Sequence, residues 1–222
     1  MSTAELTFAI GDIHGCREML DRLLERCFRC AGERSLRFVF LGDYIDRGPD
    51  SRGVVQTLID LDKRLPGNVV CLRGNHEMLL LDALAKDDMG LWLFNGADAT
   101  LASYGVDHVA ALPPEHLAWF AALKPSYDDG LRFFVHAGVD PARPLNEQRE
   151  HDLAWVREPF LSTERDYGRL IVHGHTPQRN GKPDLRRWRL NLDTAAVYGG
   201  RLTAAVFNGE QREPIAFRTD DD

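Results

Sequence analysis

Five times along this chain an apolar run of strand length stops at, or beside, a glycine and a polar residue of a type that ligates metals. The runs are Leu6 to Ile10 before Gly11-Asp12, Leu36 to Leu41 before Gly42-Asp43, and Asn68 to Leu72 before Arg73-Gly74-Asn75-His76. Two more follow, Phe133 to Val135 before His136-Ala137-Gly138 and Leu170 to Val172 before His173-Gly174-His175. Short continuous apolar runs are the pattern of strands covered on both faces. Helical periodicity fills the gaps between the first three, roughly Cys16 to Cys30 and Gly53 to Leu65, so the chain is predicted to open as βαβαβ with parallel strands, an α/β arrangement. Ligands of such sheets gather where the strands end. Five polar motifs at five strand ends can therefore meet in one crevice.

From Glu77 to about Leu123 the pattern is helical, with Leu79, Leu80, Leu84, Trp92, Leu93 and Leu101 apolar and Pro113-Pro114 opening a last helix. This segment, about 77–123, reads as a helical insert or flank beside the site. Beyond His175 come hairpin signals over about 187–218: Trp188 to Leu192, Arg201 to Phe207 and Pro214 to Arg218, expected as antiparallel strands of a second sheet. Asp220-Asp221-Asp222 reads as a frayed tail. The whole, 1–222, fits one domain.

Composition narrows the function classes. A formal charge of −7 argues against a nucleic-acid partner, whose affinity would come from basic groups neutralising phosphates, and the one basic cluster, Arg186-Arg187-Trp188-Arg189, is short. No run approaches the ~20 apolar residues of a membrane helix and no basic-then-apolar leader opens the chain, so a cytoplasmic protein without a membrane partner is expected. Four cysteines are too few for a disulfide framework. Cys27 and Cys30 fall inside an amphipathic helix pattern and read as buried thiols.

The strand-end residues carry the chemistry. Asp12 and His14 are separated by one residue and leave the same face if strand geometry persists to that point. Asp43 offers a carboxylate whose two oxygens can bridge two cations, while Asn75, His136 and His175 supply neutral oxygen and nitrogen donors. Mixed oxygen and imidazole ligands without thiolate suit manganese, iron or zinc in a working site, not a structural zinc.

Gly11-Asp12-Ile13-His14-Gly15, Gly42-Asp43-Tyr44-Ile45-Asp46-Arg47-Gly48, Arg73-Gly74-Asn75-His76-Glu77, His136-Ala137-Gly138 and Gly174-His175-Thr176 resemble, in order, the signatures of the PPP-type serine/threonine protein phosphatases, and more narrowly their short bacterial and phage branch. The resemblance runs from about Ile10 to Tyr198. It implies the calcineurin-like metallophosphoesterase fold, an α/β (α+β) sandwich of two mixed β-sheets packed face to face with flanking helices. It assigns Asp12, His14 and Asp43 to one divalent metal, and Asp43, Asn75, His136 and His175 to a second. Two such cations about 3.5–4 Å apart would turn a shared water into the hydroxide that attacks phosphorus, without a phosphoenzyme. By the same resemblance His76 is the general acid oriented by Asp46, and Arg47, Arg73 and Arg157 grip phosphoryl oxygens.

On this reading the substrates are phosphoproteins or phosphopeptides and the cofactors two divalent ions, manganese first, with iron or zinc as alternatives. One alternative is a dinucleoside polyphosphate hydrolase on the same scaffold. The third motif of those enzymes usually reads Gly-Asn-His-Asp where this chain has Glu77, and they tend to lack an acid at the place of Asp46; yet His136-Ala137-Gly138-Val139 followed by Pro141 is similar to them. A remote alternative is a binding module without catalysis. His173 reads as a packing or supporting residue, Asp193 as either support for a metal-binding histidine or a strand-end cap, and His108, His116 and His151 as surface residues.

Overall fold

The opening runs become β1 (Leu6–Ile10), β2 (Leu36–Phe40) and β3 (Val69–Cys71), all parallel, with Leu6 opposite Leu36 and Phe38 opposite Val69. The crossovers are α1 (Arg17–Ala31) and α2 (Ser51–Arg64). The structure, a computed structural model, describes residues 5–222. The helical segment holds α3 (Asn75–Lys86), α4 (Gly90–Phe94), α5 (Ala97–Tyr104) and α6 (Pro114–Ala122). Then follow β4 (Ser126–Asp128), β5 (Arg132–Val135), α7 (Glu150–Trp155), β6 (Leu170–His173), β7 (Asp184–Leu185), β8 (Arg189–Asn191), β9 (Thr203–Phe207) and β10 (Ala216–Thr219). Among the described residues no helix is long and apolar enough to cross a membrane.

Two mixed five-stranded sheets result, in the orders β10-β9-β1-β2-β3 and β4-β5-β6-β8-β7. Strand alternation explains why the runs are apolar throughout. Ala9, Val39, Leu41 and Val70 of the first sheet pack with Phe134, Val172, Leu190 and Leu192 of the second, while Phe8, Ile10, Phe38 and Phe40 pack with Leu20 and Leu23 of α1 and Val54 and Leu58 of α2. Outside the second sheet, Leu153 and Phe160 cover Phe133, Val135 and Ile171.

The C-terminal strands depart from the expected second-sheet hairpins. Of the three runs expected there, only β8 joins the second sheet, parallel to β6 and antiparallel to the short β7; β9 lies antiparallel to β1, and β10 antiparallel to β9. The reason is burial on both faces: Ala204 and Val206 of β9 belong to the helix-side core, while Ala205 and Phe207 belong to the layer between the sheets. A strand apolar on both sides is stable only in a sheet interior, here between β1 and β10. The tail also departs from expectation. Asp220 is buried, accepting from Arg22 Nη2 at 2.7 Å and from the backbone N–H of Leu202 at 3.0 Å.

Phe134, fully buried between the sheets, meets Phe207 edge-on at 6.0 Å. Phe134→Ala should cost about 3–5 kcal/mol in urea unfolding. By contrast Phe94, 88% exposed, should change stability by less than about 0.5 kcal/mol when truncated to alanine. Equal effects would contradict this layer assignment.

Candidate active site

The ends of β1, β2, β3, β5 and β6 deliver Asp12, Asp43, Asn75, His136 and His175 into one buried cluster, joined by His14 and His76. Backbone hydrogen bonds lace the delivering loops together. The N–H groups of Ile13 and His14 donate to the Asp43 carbonyl at 3.0 and 2.8 Å, and Gly174 N–H donates to the His136 carbonyl at 2.7 Å. His175 N–H donates to both oxygens of Asp12 at 3.1 Å, and His76 N–H to Asp43 Oδ1 at 3.1 Å. His14, Asp43, Asp46, Arg47 and His175 all hold positive φ, between 45° and 72°, in the left-handed region. Such conformations cost about 1–3 kcal/mol each and persist where the surroundings over-determine them.

Two triads of donor atoms converge on Asp43: His14, Asp43 and His76 on one side, Asp43, His136 and His175 on the other, each with ligand atoms within 4.8 Å of one another. The imidazoles are oriented for coordination. His14 Nδ1–H donates to the Ile45 carbonyl at 2.8 Å and His136 Nδ1–H to the Leu41 carbonyl at 2.9 Å, which turns both Nε2 atoms toward Asp43 at 3.5 and 3.4 Å. Asn75 Oδ1 lies 3.0 Å from His136 Nε2 and 2.8 Å from His175 Nδ1. Burial drives His14 down to about 3, and burial with the neighbouring His136 takes His175 down to about 2, so both rings are neutral and free to ligate. Burial opposes a charge on His136 too, but Asp43 outweighs it and lifts that ring to about 10. Burial likewise disfavours the Asp43 carboxylate, yet His136, His76 and His14 together hold it well below its usual range. Asp12 is pushed well above its usual range by burial and then by Asp193. A divalent cation among these groups would replace the compensating proton and keep both carboxylates ionised, so the donor set fits the metals expected.

The second half of the site is an acid–base pair. His76 Nδ1 lies 2.6 Å from Asp46 Oδ2, and its Nε2 is buried without a hydrogen-bond partner, 3.9 Å from Asp43 Oδ2. The three arginines are placed differently from one another. Arg47 reaches His14 Nε2 at 2.8 Å and lies over the exposed ring of Tyr198, and Arg157 donates to the His175 carbonyl at 3.4 Å, so both border the cluster. Arg73 instead donates to the Leu123 carbonyl at 2.9 Å and to Glu150 at 3.4 Å.

Some of the remaining residues differ from their sequence reading and others agree with it. Glu77 is fully buried and accepts from the backbone N–H groups of Asp43, Gly74 and Tyr44 at 2.9, 2.9 and 2.8 Å. It fastens the second motif to the third and cannot touch a substrate, so it does not discriminate between substrates by contact. Asp193 Oδ1 accepts from Ala195 N–H at 3.1 Å, as a strand-end cap does. His173 is buried against Phe160 at 5.1 Å, outside both triads. His116 is buried, bonded to the Tyr104 hydroxyl at 2.7 Å, whereas His151 is exposed. Asn191, Trp92, Thr100 and Ser51 support the site without any signal in the sequence: the first three lie in helix or strand patterns with no motif of their own, and Ser51 opens α2. Asn191 Nδ2 donates to the Thr176 carbonyl at 2.8 Å, holding the last ligand loop on β8.

A two-sheet sandwich presenting nitrogen and oxygen triads around a shared carboxylate at its strand ends defines a metallophosphoesterase. The family model for calcineurin-like phosphoesterases matches residues 7–202, and the chain belongs to that family, whose members use a dinuclear divalent metal centre. It is 32% identical over 208 residues to serine/threonine-protein phosphatase 1 of Salmonella typhimurium, covering 89% of this chain and 90% of that one. It is 29% identical over 224 residues to the asymmetrical bis(5'-nucleosyl)-tetraphosphatase PrpE of Anoxybacillus flavithermus, covering 88% and 87%. Among solved structures, a putative diadenosine tetraphosphatase superposes with a TM-score of 0.71 at 26% identity, over 98% of this chain and 93% of that one.

A Cβ at Gly174 would collide with Asp12 Oδ1, whereas one at Gly209 meets nothing. Gly174→Ala should weaken manganese binding, measured by calorimetry, by ~10-fold or more, with Gly209→Ala unchanged. Equal affinities would show that Asp12 does not depend on this close approach.

Proposed function

We propose that this chain is a metal-dependent protein serine/threonine phosphatase, hydrolysing phosphomonoesters directly with His76 as general acid. One observation carries the reading: the buried His76–Asp46 pair, whose unpartnered Nε2 faces the shared carboxylate. A serine or threonine alkoxide leaves poorly, and a positioned acid is worth ~10²–10⁴-fold for such a group. The nucleotide leaving a dinucleoside polyphosphate departs as a phosphate, a far weaker base with little need of a proton. The 32% identity to a serine/threonine phosphatase, over nine-tenths of both chains, supports the same choice.

In this reading Asp12, His14 and Asp43 hold one cation, and Asp43, Asn75, His136 and His175 the other. When bound, such cations supply Lewis acidity toward phosphoryl oxygens and a nucleophile drawn from water at neutral pH. Manganese suits the mixed oxygen and imidazole donors best. Arg47 and Arg157 hold phosphoryl oxygens with their forked donors, and Arg73 joins them by releasing Glu150. His76 donates Nδ1–H to Asp46 and transfers the Nε2 proton to the leaving oxygen. Burial opposes the charged ring, but Asp43 and then Asp46 raise its pKa above the ordinary value, which keeps the proton available.

The likeness to tetraphosphatases favours a second reading, hydrolysis of dinucleoside polyphosphates on the same residues. One preparation assayed on a phosphoserine peptide and on diadenosine tetraphosphate decides. The peptide should be preferred by at least ~10-fold in kcat/KM, about 1.4 kcal/mol; the reverse order would overturn the assignment. His76→Asn should lose ~10²–10⁴-fold on alkyl phosphates and distinctly less on aryl phosphates, whose leaving group needs no proton; equal losses would remove His76 as the acid. Exhaustive chelation should abolish turnover, with manganese restoring it best, and full activity at zero metal content would refute the two-metal reading.

A further inference from the structure

Asp46 links the His76 ring to α4 and α5, whose side chains hold its carboxylate. His76 Nδ1–H and Trp92 Nε1–H both donate to Asp46 Oδ2, at 2.6 and 2.9 Å, and Thr100 Oγ1–H donates to Oδ1 at 2.6 Å. Asp46, His76, Trp92 and Thr100 are all at least 99% buried. The proton order in this network is determined. Asp46 N–H is shared between Ser51 Oγ at 3.1 Å and Thr100 Oγ1 at 2.9 Å, and the two hydroxyls are 3.0 Å apart. With its single proton committed to Asp46, Thr100 can only accept from Ser51, so the chain of donation runs Ser51 to Thr100 to Asp46. Arg47 N–H donates to the Gly96 carbonyl at 3.1 Å, which ties the α4–α5 turn to the same loop.

We infer that Trp92 and Thr100 are positioning residues for the general acid, so that α4 and α5 belong to the catalytic machinery. The inference rests on the assignment of His76 as the acid. One consequence of the donors carries it: they fix the rotation of the Asp46 carboxylate, and its bond to Nδ1–H in turn fixes the imidazole plane and the direction of Nε2. A residue that merely filled space at these positions would need neither an indole N–H nor a hydroxyl, and would disturb all substrates alike.

The test is the ratio of kcat on an alkyl phosphate to kcat on an aryl phosphate, with manganese-loaded enzyme of confirmed metal content. Trp92→Phe, which keeps the aromatic ring and removes the donor, and Thr100→Val, which keeps the shape and removes the hydroxyl, should each lower that ratio by ~10–100-fold with KM little changed. Thr100→Ser, which keeps the hydroxyl, should return the ratio toward the parent value. Leu93→Ala, on the same short helix but partly exposed, controls for loosening of α4 and should not move the ratio. His76→Asn is run beside them. If it lowers the ratio while Trp92→Phe and Thr100→Val depress both substrates equally, the positioning role is overturned and the acid assignment stands. If His76→Asn leaves the ratio unchanged, the acid assignment itself fails, and the inference with it. Should Trp92→Phe not fold, the comparison of Thr100→Val with Thr100→Ser decides alone.

Discussion

Asp43 is 2% exposed, and the motif loops are arranged around its charge. A lone buried carboxylate would cost several kcal/mol or take up a proton. Here His14 and His136 present nitrogens to it, and the N-terminus of α3 donates a backbone N–H. Its own backbone is held by Glu77 through N–H and by Ile13 and His14 through the carbonyl. The cost of burial is thereby spread over three strand ends. The same crowding makes a pair of cations the natural counter-charge for the cluster.

Close approach is what the glycines permit. A Cβ at Gly42 would stand 2.6 Å from Gly74 N and 2.9 Å from His136 Nδ1, and one at Gly74 would run into the Asp43 carboxylate. The ligand side chains and the glycines beside them are thus two parts of one requirement: side chains meet only where backbones nearly touch. The left-handed conformations at His14, Asp43 and His175 follow from the same compression, since a chain leaving a strand must turn at once to aim its side chain back over the strand end. Strain of this kind is tolerated because the strands behind it are buried on both faces.

Legibility followed the length scale of each interaction. The strands β1, β2, β3, β5 and β6 and the meeting of Asp12, His14, Asp43, Asn75, His136 and His175 at their ends could be read because each motif is contiguous and its apolar run local. The sheet assignment of β9 could not be, since an apolar five-residue run specifies burial on two faces without naming its neighbours. Asp220 looked like tail because its partner Arg22 lies 198 residues away. Trp92 and Thr100 were hidden for a related reason. An indole in a helical apolar stripe reads as core, and only the meeting of α4 and α5 with the second motif reveals that its N–H has a carboxylate to serve. Glu77 shows the opposite failure, a conspicuous motif residue whose work is entirely local.

What distinguishes the two substrate classes on this scaffold is therefore not the ligand set, which hydrolysis of either phosphate would use. It is the base strength of the oxygen that leaves. A metal pair neutralises charge on the phosphoryl group in both cases, but only an alkoxide leaving group demands a proton within the transition state. Investing three buried side chains, Asp46, Trp92 and Thr100, in holding the imidazole of His76 is chemically sensible for such a group and superfluous for a nucleotide. Arg47 and Arg157, exposed beside the cluster, would grip the phosphoryl group common to both substrate classes, while the buried network selects the bond that breaks.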